Sequence, residues 1–250
     1  MSWNSYFWRE KMLNERVSTI SSSKEIDEGL RTYMLKVYNY MAGGLILTAL
    51  TVYFLITTGA IASFFSITDT GASLSFLGWV ALLSPLALVL YFGHSVNKGS
   101  LLQVKTVFWL FSALMGVSIA PVMLAYTGES VTRVFFISAS MFGAMSIYGY
   151  TTKRDLTGMG SFLFMGLIGL IIAGIVNIFW ASSALFFAVS VIGVAVFVGL
   201  TAYDTQKIRR MYVEGNEDYA TRAAVSGALQ LYMDFINLFL YLLRLLGDRR

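Results

Sequence analysis

Long apolar runs alternate with short charged segments along most of the chain. Between Lys36 and Lys98 the only charged residue is Asp69, and residues 156–203 contain no charged residue at all. A helix needs roughly 20 mostly apolar residues to cross the hydrocarbon of a bilayer. The pattern predicts seven such helices, near residues 33–57, 76–93, 106–126, 131–150, 160–179, 184–205 and 226–246.

The predicted spans are apolar on all sides, which favours helices buried in lipid and against one another over a soluble amphipathic bundle. The alternating apolar and polar pattern of membrane β-strands is absent. We therefore expect an all-α membrane protein, with residues 1–31 as a cytoplasmic N-terminal tail and residues 32–250 as one seven-helix transmembrane domain. In the fifth span, Gly166, Gly169 and Gly174 predict close packing against a neighbouring helix.

Composition supports this class and excludes several kinds of site. Hydrophobic residues make up 57% of the chain and charged residues only 13%, against roughly 25% charged residues in a soluble domain. Cysteine is absent and His94 is the only histidine, which excludes thiolate chemistry and zinc sites built from cysteines or three histidines. The net charge of +4 is explained by the loops, and no nucleic-acid partner is expected.

The positive charges predict an orientation. Fourteen of the 18 Lys and Arg residues lie in the segment up to Lys36 and in the 94–105, 151–159 and 204–225 loops. Cytoplasmic loops are enriched in these residues, so the N-terminus is predicted to be cytoplasmic. One feature conflicts with this orientation, because an odd number of complete spans places Arg249 and Arg250 outside.

The last predicted helix carries a polar stripe on an otherwise apolar surface. Its members repeat at intervals of four, three, four and three residues, and they are Gln230, Asp234, Asn237, Tyr241 and Arg244. At ~100° per residue, they fall within an arc of roughly 80° on one helix face. Such a stripe is expected to face the bundle interior or water and not lipid.

Asp234 is the member of the stripe with the clearest chemical meaning. A charge at the centre of a spanning helix costs roughly 2.5–3.5 kcal/mol on insertion scales, and such residues usually mark an ion or proton path. Its predicted partner is Asp204, at the end of the sixth span. Two structural alternatives stay open: Asp234 as a buried acid satisfied by neighbouring hydrogen bonds, and Asp204 as a solvated loop acid.

The two carboxylates can meet if the sixth helix bends inward or continues past Asp204. Two like charges in a poorly solvated site do not both ionise easily, so they tend to share one proton. When deprotonated, the pair is a hard, oxygen-rich site suited to Ca²⁺. Two carboxylates are too few for tight binding, so we expect weak Ca²⁺ binding or passage at Asp204 and Asp234, in competition with protons, and no tightly bound cofactor.

Five segments from the fourth span onward carry a recognisable pattern. They are Ser140-Met141-Phe142-Gly143-Ala144-Met145-Ser146, Tyr148-Gly149-Tyr150-Thr151-Thr152-Lys153-Arg154-Asp155-Leu156, Ala202-Tyr203-Asp204-Thr205-Gln206, Leu231-Tyr232-Met233-Asp234-Phe235-Ile236-Asn237-Leu238-Phe239-Leu240 and Leu243-Arg244-Leu245-Leu246. This pattern resembles the Bax inhibitor family, also called the transmembrane BAX inhibitor motif or lifeguard family. The resemblance runs from about residue 30 to residue 247 and is typical of a bacterial inner-membrane member.

The resemblance implies seven helices with the last one in the centre, surrounded by the other six, and a pH-sensitive Ca²⁺ leak. The family's paired acids, one on each of the last two helices, correspond to Asp204 and Asp234. Some members have an arginine in the second helix that latches onto the sixth-helix aspartate. Residues 76–93 contain no Arg or Lys, so a latch here would have to use His94 or Lys98, or be missing.

The leading functional prediction is a pH-sensitive calcium, or cation, leak channel, whose partners are the lipid bilayer, Ca²⁺ and protons. The alternative is a membrane-embedded regulatory protein that modulates a membrane protease or a stress response through a membrane-protein partner. An enzyme is not expected. Neither Asp204 nor Asp234 follows a glycine, as an intramembrane aspartyl protease would require, and residues 226–246 lack the lysine of a retinal protein.

Overall fold

The computed structural model describes residues 3–68 and 71–250, with side chains described for residues 27–65 and 73–250. The described chain contains seven α-helices, each with a stretch long and apolar enough to cross a membrane. They are α1 Trp3–Thr57, α2 Phe76–Lys98, α3 Leu101–Leu124, α4 Gly128–Thr151, α5 Thr157–Trp180, α6 Ser183–Arg210 and α7 Glu217–Leu246. The predicted all-α membrane class is confirmed.

Several helices extend beyond their predicted bounds. α3 begins at Leu101, not at 106, α6 ends at Arg210, not at 205, and α7 begins at Glu217, not at 226. The apolar run marks only the part of a helix that suits hydrocarbon, whereas the backbone stays helical through polar residues until a cap is reached. The side chains of Ser100 and Asn216 provide such caps, because they accept hydrogen bonds from backbone N–H groups in the first turns of α3 and α7.

The connection between α1 and α2 contains regular structure that the sequence pattern did not predict. It includes a 3-10 helix, Ala60–Phe64, and two antiparallel strands, β1 Phe65–Thr68 and β2 Gly71–Leu74. The strands are only four residues each, which is too short for alternation to stand out from the surrounding sequence. This hairpin lies outside the helical bundle proper and takes no part in the site described below.

α7 lies at the centre of the bundle, as the resemblance implied, and packs against α1, α3, α4 and α6. Leu231, Leu238 and Leu243 of α7 are fully buried. The Tyr232 hydroxyl lies 2.6 Å from Thr48 Oγ1 of α1, so a buried hydrogen bond also joins these two helices. α2 packs mainly against α3, and α5 mainly against α6. Four helices therefore surround α7 directly, and α2 and α5 form the outer part of the bundle.

The bundle has two distinct ends. One end carries the connections at 99–100, 152–156 and 211–216. Many Lys and Arg residues lie in or beside these connections, so we call this the basic end. There the Arg210 guanidinium pairs with Asp155 at 3.0 Å between Nη2 and Oδ1. The α4–α5 connection, the end of α6 and the start of α7 therefore lie together.

We call the other end the Thr127 end, after the turn between α3 and α4. The backbone N–H of Thr127 donates to the carbonyl oxygen of Asp248 at 3.0 Å, so residues 247–250 pack against this turn. α7 therefore crosses the whole bundle, and Arg249 and Arg250 lie at the end opposite the basic loops. The fold places these two charges opposite the basic loops, and a complete seventh span stays a prediction.

Candidate functional site

A cavity of about 620 Å³ lies between α5, α6 and α7. It brings together the two predicted acids, Asp204 from α6 and Asp234 from α7, with Gln230 and Asn237 from the predicted polar stripe. This part of the stripe therefore faces a cavity between three helices, whose α5 wall includes the exposed side chains of Phe164 and Met165.

The course of the two helices explains how these acids approach each other. α6 continues to Arg210, so Asp204 lies inside the helix and faces the cavity. α7 starts at Glu217, which places Asp234 near the middle of a 30-residue helix. Neither acid belongs to a loop, and the continuation of α6 past Asp204 is the condition on which their approach depends.

The carboxyl groups of Asp204 and Asp234 line the same cavity and lie close enough to interact electrostatically. Asp234 is only 5% exposed, and no donor among the described residues reaches its Oδ2. Two ionised carboxylates offer acceptors and no donor, so at this separation they repel each other. A shared proton or a bound cation relieves that repulsion, and the site is chemically suited to either.

Lys207 is a member of this cavity that sequence reasoning missed. The sequence pattern places it in the basic 204–225 loop, but it lies in α6, one turn after Asp204, and lines the cavity. Its ammonium group interacts electrostatically with Asp204 and Asp234. The sequence feature that could have identified Lys207 is its three-residue spacing from Asp204. Residues three apart share a helix face, provided that the helix continues past Asp204.

Amide side chains add oxygen atoms to the cavity. Gln230 Oε1 is buried and has no hydrogen-bond partner among the described residues. Asn237 Nδ2 donates to the carbonyl oxygen of Met233 at 2.8 Å, which orients that amide. Carboxylate and amide oxygens are ligands that Ca²⁺ accepts. The described residues contain no group of three or more His, Cys, Asp or Glu side chains able to hold a metal.

Tyr241 and Arg244, the remaining members of the predicted stripe, lie away from the two acids. The Tyr241 ring stacks on Phe197 of α6, with ring centroids 5.7 Å apart and planes 28° apart. The same ring packs against Gly193, where any larger side chain would collide with it. Beyond this stack, Tyr241 and Arg244 line a second cavity of about 700 Å³ toward the Thr127 end. The aromatic stack thus separates two cavities along one face of α7.

The second helix contributes no described side chain to the acid cavity. His94 lies inside α2, not in a loop, and its ring stacks on Tyr91 with centroids 6.4 Å apart. Lys98 is the last residue of α2. Neither residue lines the cavity, so neither forms the latch considered from the sequence. The cationic group close to the acids is instead Lys207, from the same helix as Asp204.

Comparisons with known proteins cover nearly the whole described bundle. A family model described as "Inhibitor of apoptosis-promoting Bax1" matches residues 30–250, which include every residue lining the two cavities. The chain is 49% identical to an uncharacterized protein of Rickettsia prowazekii over 236 residues, covering 94% of this chain and 97% of that protein. It is 44% identical to inner membrane protein YbhL of Escherichia coli over 229 residues, covering 89% and 94% of the two chains.

Proposed function

This chain belongs to the Bax inhibitor family, and on that premise we propose that it is a pH-sensitive leak pathway for Ca²⁺ across the inner membrane. In this proposal Asp204 and Asp234 hold either a shared proton or the passing cation. The observation that carries it is the placement of two carboxyl groups in one cavity, with Asp234 Oδ2 lacking any donor in the described chain. No enzymatic reaction is proposed.

The charge balance of the cavity couples protons to cations in this proposal. With both acids ionised, the pair carries two negative charges and Lys207 offsets one of them, so a cation is attracted. With one proton shared between Asp204 and Asp234, Lys207 neutralises the remaining charge and the attraction is lost. Protons and Ca²⁺ therefore compete for the same oxygens, and occupancy by Ca²⁺ falls as the site takes up a proton.

The acid cavity gives the proposed pathway its entrance. A cation that enters from the basic end meets Asp204 and Asp234 there. We propose that the basic end and the N-terminus face the cytoplasm, supported by the distribution of Lys and Arg.

The test is Ca²⁺ entry into liposomes that contain the purified chain and a trapped Ca²⁺ indicator, measured over a series of pH values. The wild-type protein should show flux that changes with pH. Asp234→Asn keeps the size of the side chain but removes its charge, so the pH dependence should disappear and flux should fall by about tenfold or more, which corresponds to about 1.4 kcal/mol. Asp204→Asn should behave in the same way.

Asp218→Asn is the matched control, because Asp218 is an exposed acid in the first turn of α7 and forms no ion pair in the described chain. Its flux and pH profile should match those of the wild type. Flux that is unchanged by Asp234→Asn would contradict the proposal. Folded wild-type protein that passes no Ca²⁺ at any pH would favour the alternative, a regulatory membrane protein whose acids serve only the fold.

A further inference from the structure

Two guanidinium groups converge on a single aromatic ring at the Thr127 end. Arg244 lies in the last turn of α7, and Arg249 lies in the segment after it. Each places its guanidinium carbon 5.8 Å from the centroid of the Phe186 ring. Both arginines also line the second cavity of about 700 Å³. Two like charges that line one cavity add to its positive potential unless a counter-charge lies nearby.

No carboxylate in the described part of the chain balances these two charges. Asp248, the acid nearest to them in sequence, is paired with Arg133 at 2.9 Å between Oδ2 and Nη2. Glu129, at the same end, forms no ion pair. Within the described part of the chain, the two positive charges that line the second cavity have aromatic rings but no carboxylate as partners, which makes the cavity attractive to an anion.

The start of α6 adds to this positive potential. α6 begins at Ser183, directly after its capping residue Ser182, and Phe186 lies in its first turn. The N-terminus of a helix carries roughly half a positive charge and presents free backbone N–H groups, a combination that favours phosphate groups. The N-terminus of α6 and the two guanidinium groups therefore all favour the binding of an anion.

The rest of the second cavity is largely apolar and open to the outside of the bundle. Ile171, Ile175 and Ile178 of α5 line it, and their exposed fractions are 55%, 53% and 77%. When the helices span a membrane, this wall of α5 faces hydrocarbon. An inorganic anion would leave the wall uncovered, whereas a phospholipid would place its phosphate at the arginines and an acyl chain along the isoleucines.

We propose that the second cavity binds an anionic phospholipid, with its phosphate between Arg244 and Arg249 and an acyl chain along α5. Arginine can bind phosphate through two parallel N–H···O bonds, and a head group with net negative charge neutralises the site where a zwitterionic one does not. The Phe197–Tyr241 stack separates this cavity from the acids, so the lipid site does not depend on the proposed ion pathway.

The test is binding of phosphatidylglycerol and phosphatidylcholine with identical acyl chains to the full-length protein in detergent, measured by native mass spectrometry. The wild type should bind phosphatidylglycerol about tenfold more tightly than phosphatidylcholine. The Arg244→Gln/Arg249→Gln double variant should lose most of this preference. Arg250→Gln is the matched control, because it removes a positive charge at the same end from a residue that lines a different cavity, and it should keep the wild-type preference.

Equal binding of the two lipids by the wild type would overturn the proposal, as would an unchanged preference in the double variant. Efficient displacement of phosphatidylglycerol by inorganic phosphate would assign the site to a free anion and would also overturn it. Arg249→Gln alone covers the case in which the double variant does not fold, since Arg249 lies beyond the end of α7. This single variant should also bind phosphatidylglycerol more weakly than the wild type.

Discussion

Asp155 is an acidic residue whose surroundings are the opposite of those around Asp234. Its Oδ1 accepts hydrogen bonds from the Thr157 hydroxyl at 2.7 Å, from the Thr157 backbone N–H at 3.1 Å and from Arg210 Nη2 at 3.0 Å. These donors, those of Thr157 first, lower the pKa of the Asp155 carboxyl to about 2. Asp155 therefore stays ionised and joins the start of α5 to the end of α6, whereas Asp234 Oδ2 has no donor in the described chain.

The lowered pKa of Asp155 predicts a pH-dependent loss of stability. Because the folded-state pKa lies below the ordinary value of 3.8, the stabilisation is complete above about pH 5 and is lost as pH falls toward 2. Asp155→Asn should therefore lower the Tm at pH 6, and its difference from the wild type should shrink as pH falls to 3 and below. Thermal unfolding in detergent across this range measures the difference.

Glu214→Gln is the control for Asp155, since Glu214 is an exposed acid at the same end and forms no ion pair in the described chain. Its Tm should follow that of the wild type at every pH. A constant difference in Tm between Asp155→Asn and the wild type down to pH 2 would show that the hydrogen bonds of the ionised Asp155 do not contribute to stability.

At the scale of helices, the contact between α4 and α6 depends on a missing side chain. A Cβ at Gly149 would collide with the backbone of Ala202. One turn earlier in α4, the Ser146 hydroxyl lies 3.0 Å from Thr205 Oγ1 of α6. The two backbones approach closely at one point and are joined by a buried hydrogen bond at the next, as is usual where small residues set helix packing in membranes.

The glycines of α5 behave differently from the prediction. Gly166 does pack closely, because a Cβ there would lie 3.1 Å from Val196 of α6, but Gly169 and Gly174 have no neighbouring atom within 4 Å of that position. The prediction of close packing is wrong at these two residues. α5 lies on the outside of the bundle, so only one face of it meets another helix.

Gly149→Ala and Gly143→Ala form a matched pair on α4. Gly149→Ala should destabilise the fold by about 1–3 kcal/mol, because overpacking forces the two backbones apart. Gly143 has open space at its Cβ position, so Gly143→Ala should stabilise the helix by up to about 1 kcal/mol through higher helix propensity. Thermal unfolding of both variants in the same detergent measures the difference in their stabilities. Equal stabilities would show that the two backbones are not tightly packed at Gly149.

At the scale of the whole molecule, α7 joins the basic end of the bundle to the Thr127 end. At the basic end, Lys36 Nζ of α1 donates to Thr221 Oγ1 of α7 at 3.2 Å, and Arg222 Nη1 donates to the carbonyl oxygen of Gly99. These contacts tie the start of α7 to the rest of that end, while its last residues pack at the Thr127 end. The acid cavity and the second cavity therefore lie at different depths of one bundle.

Single cysteines should report on opposite sides of the membrane, since the chain contains no native cysteine. Glu214→Cys lies at the basic end and Glu129→Cys at the Thr127 end, and both positions are exposed. A membrane-impermeant maleimide should label Glu129→Cys in spheroplasts and Glu214→Cys only in inside-out vesicles. Arg249→Cys should follow Glu129→Cys. Labelling of Arg249→Cys and Glu214→Cys from the same side would contradict a complete seventh span, because these two positions flank α7. Reversed sides for Glu129→Cys and Glu214→Cys would contradict a cytoplasmic N-terminus.

The amino-acid sequence alone determined that seven helices are long and apolar enough to cross a membrane and that the last one carries a polar stripe on one face. Runs of about 20 apolar residues have few alternatives in a bilayer, because every backbone polar group must be bonded within its own segment. The sequence also singled out Asp204 and Asp234 by chemistry, since acids are rare and costly in such segments.

Only the tertiary structure decided which side chains meet. Helical periodicity assigns Asp234 to a face of α7, but its contact with Asp204 depends on how far α6 continues and on how α6 packs against α7. The same is true of Lys207 in the acid cavity and of Arg244 beside Arg249. These neighbours come from separate turns, helices or segments, so their distances are set by packing between elements, about which a local pattern of apolar and polar residues carries no information.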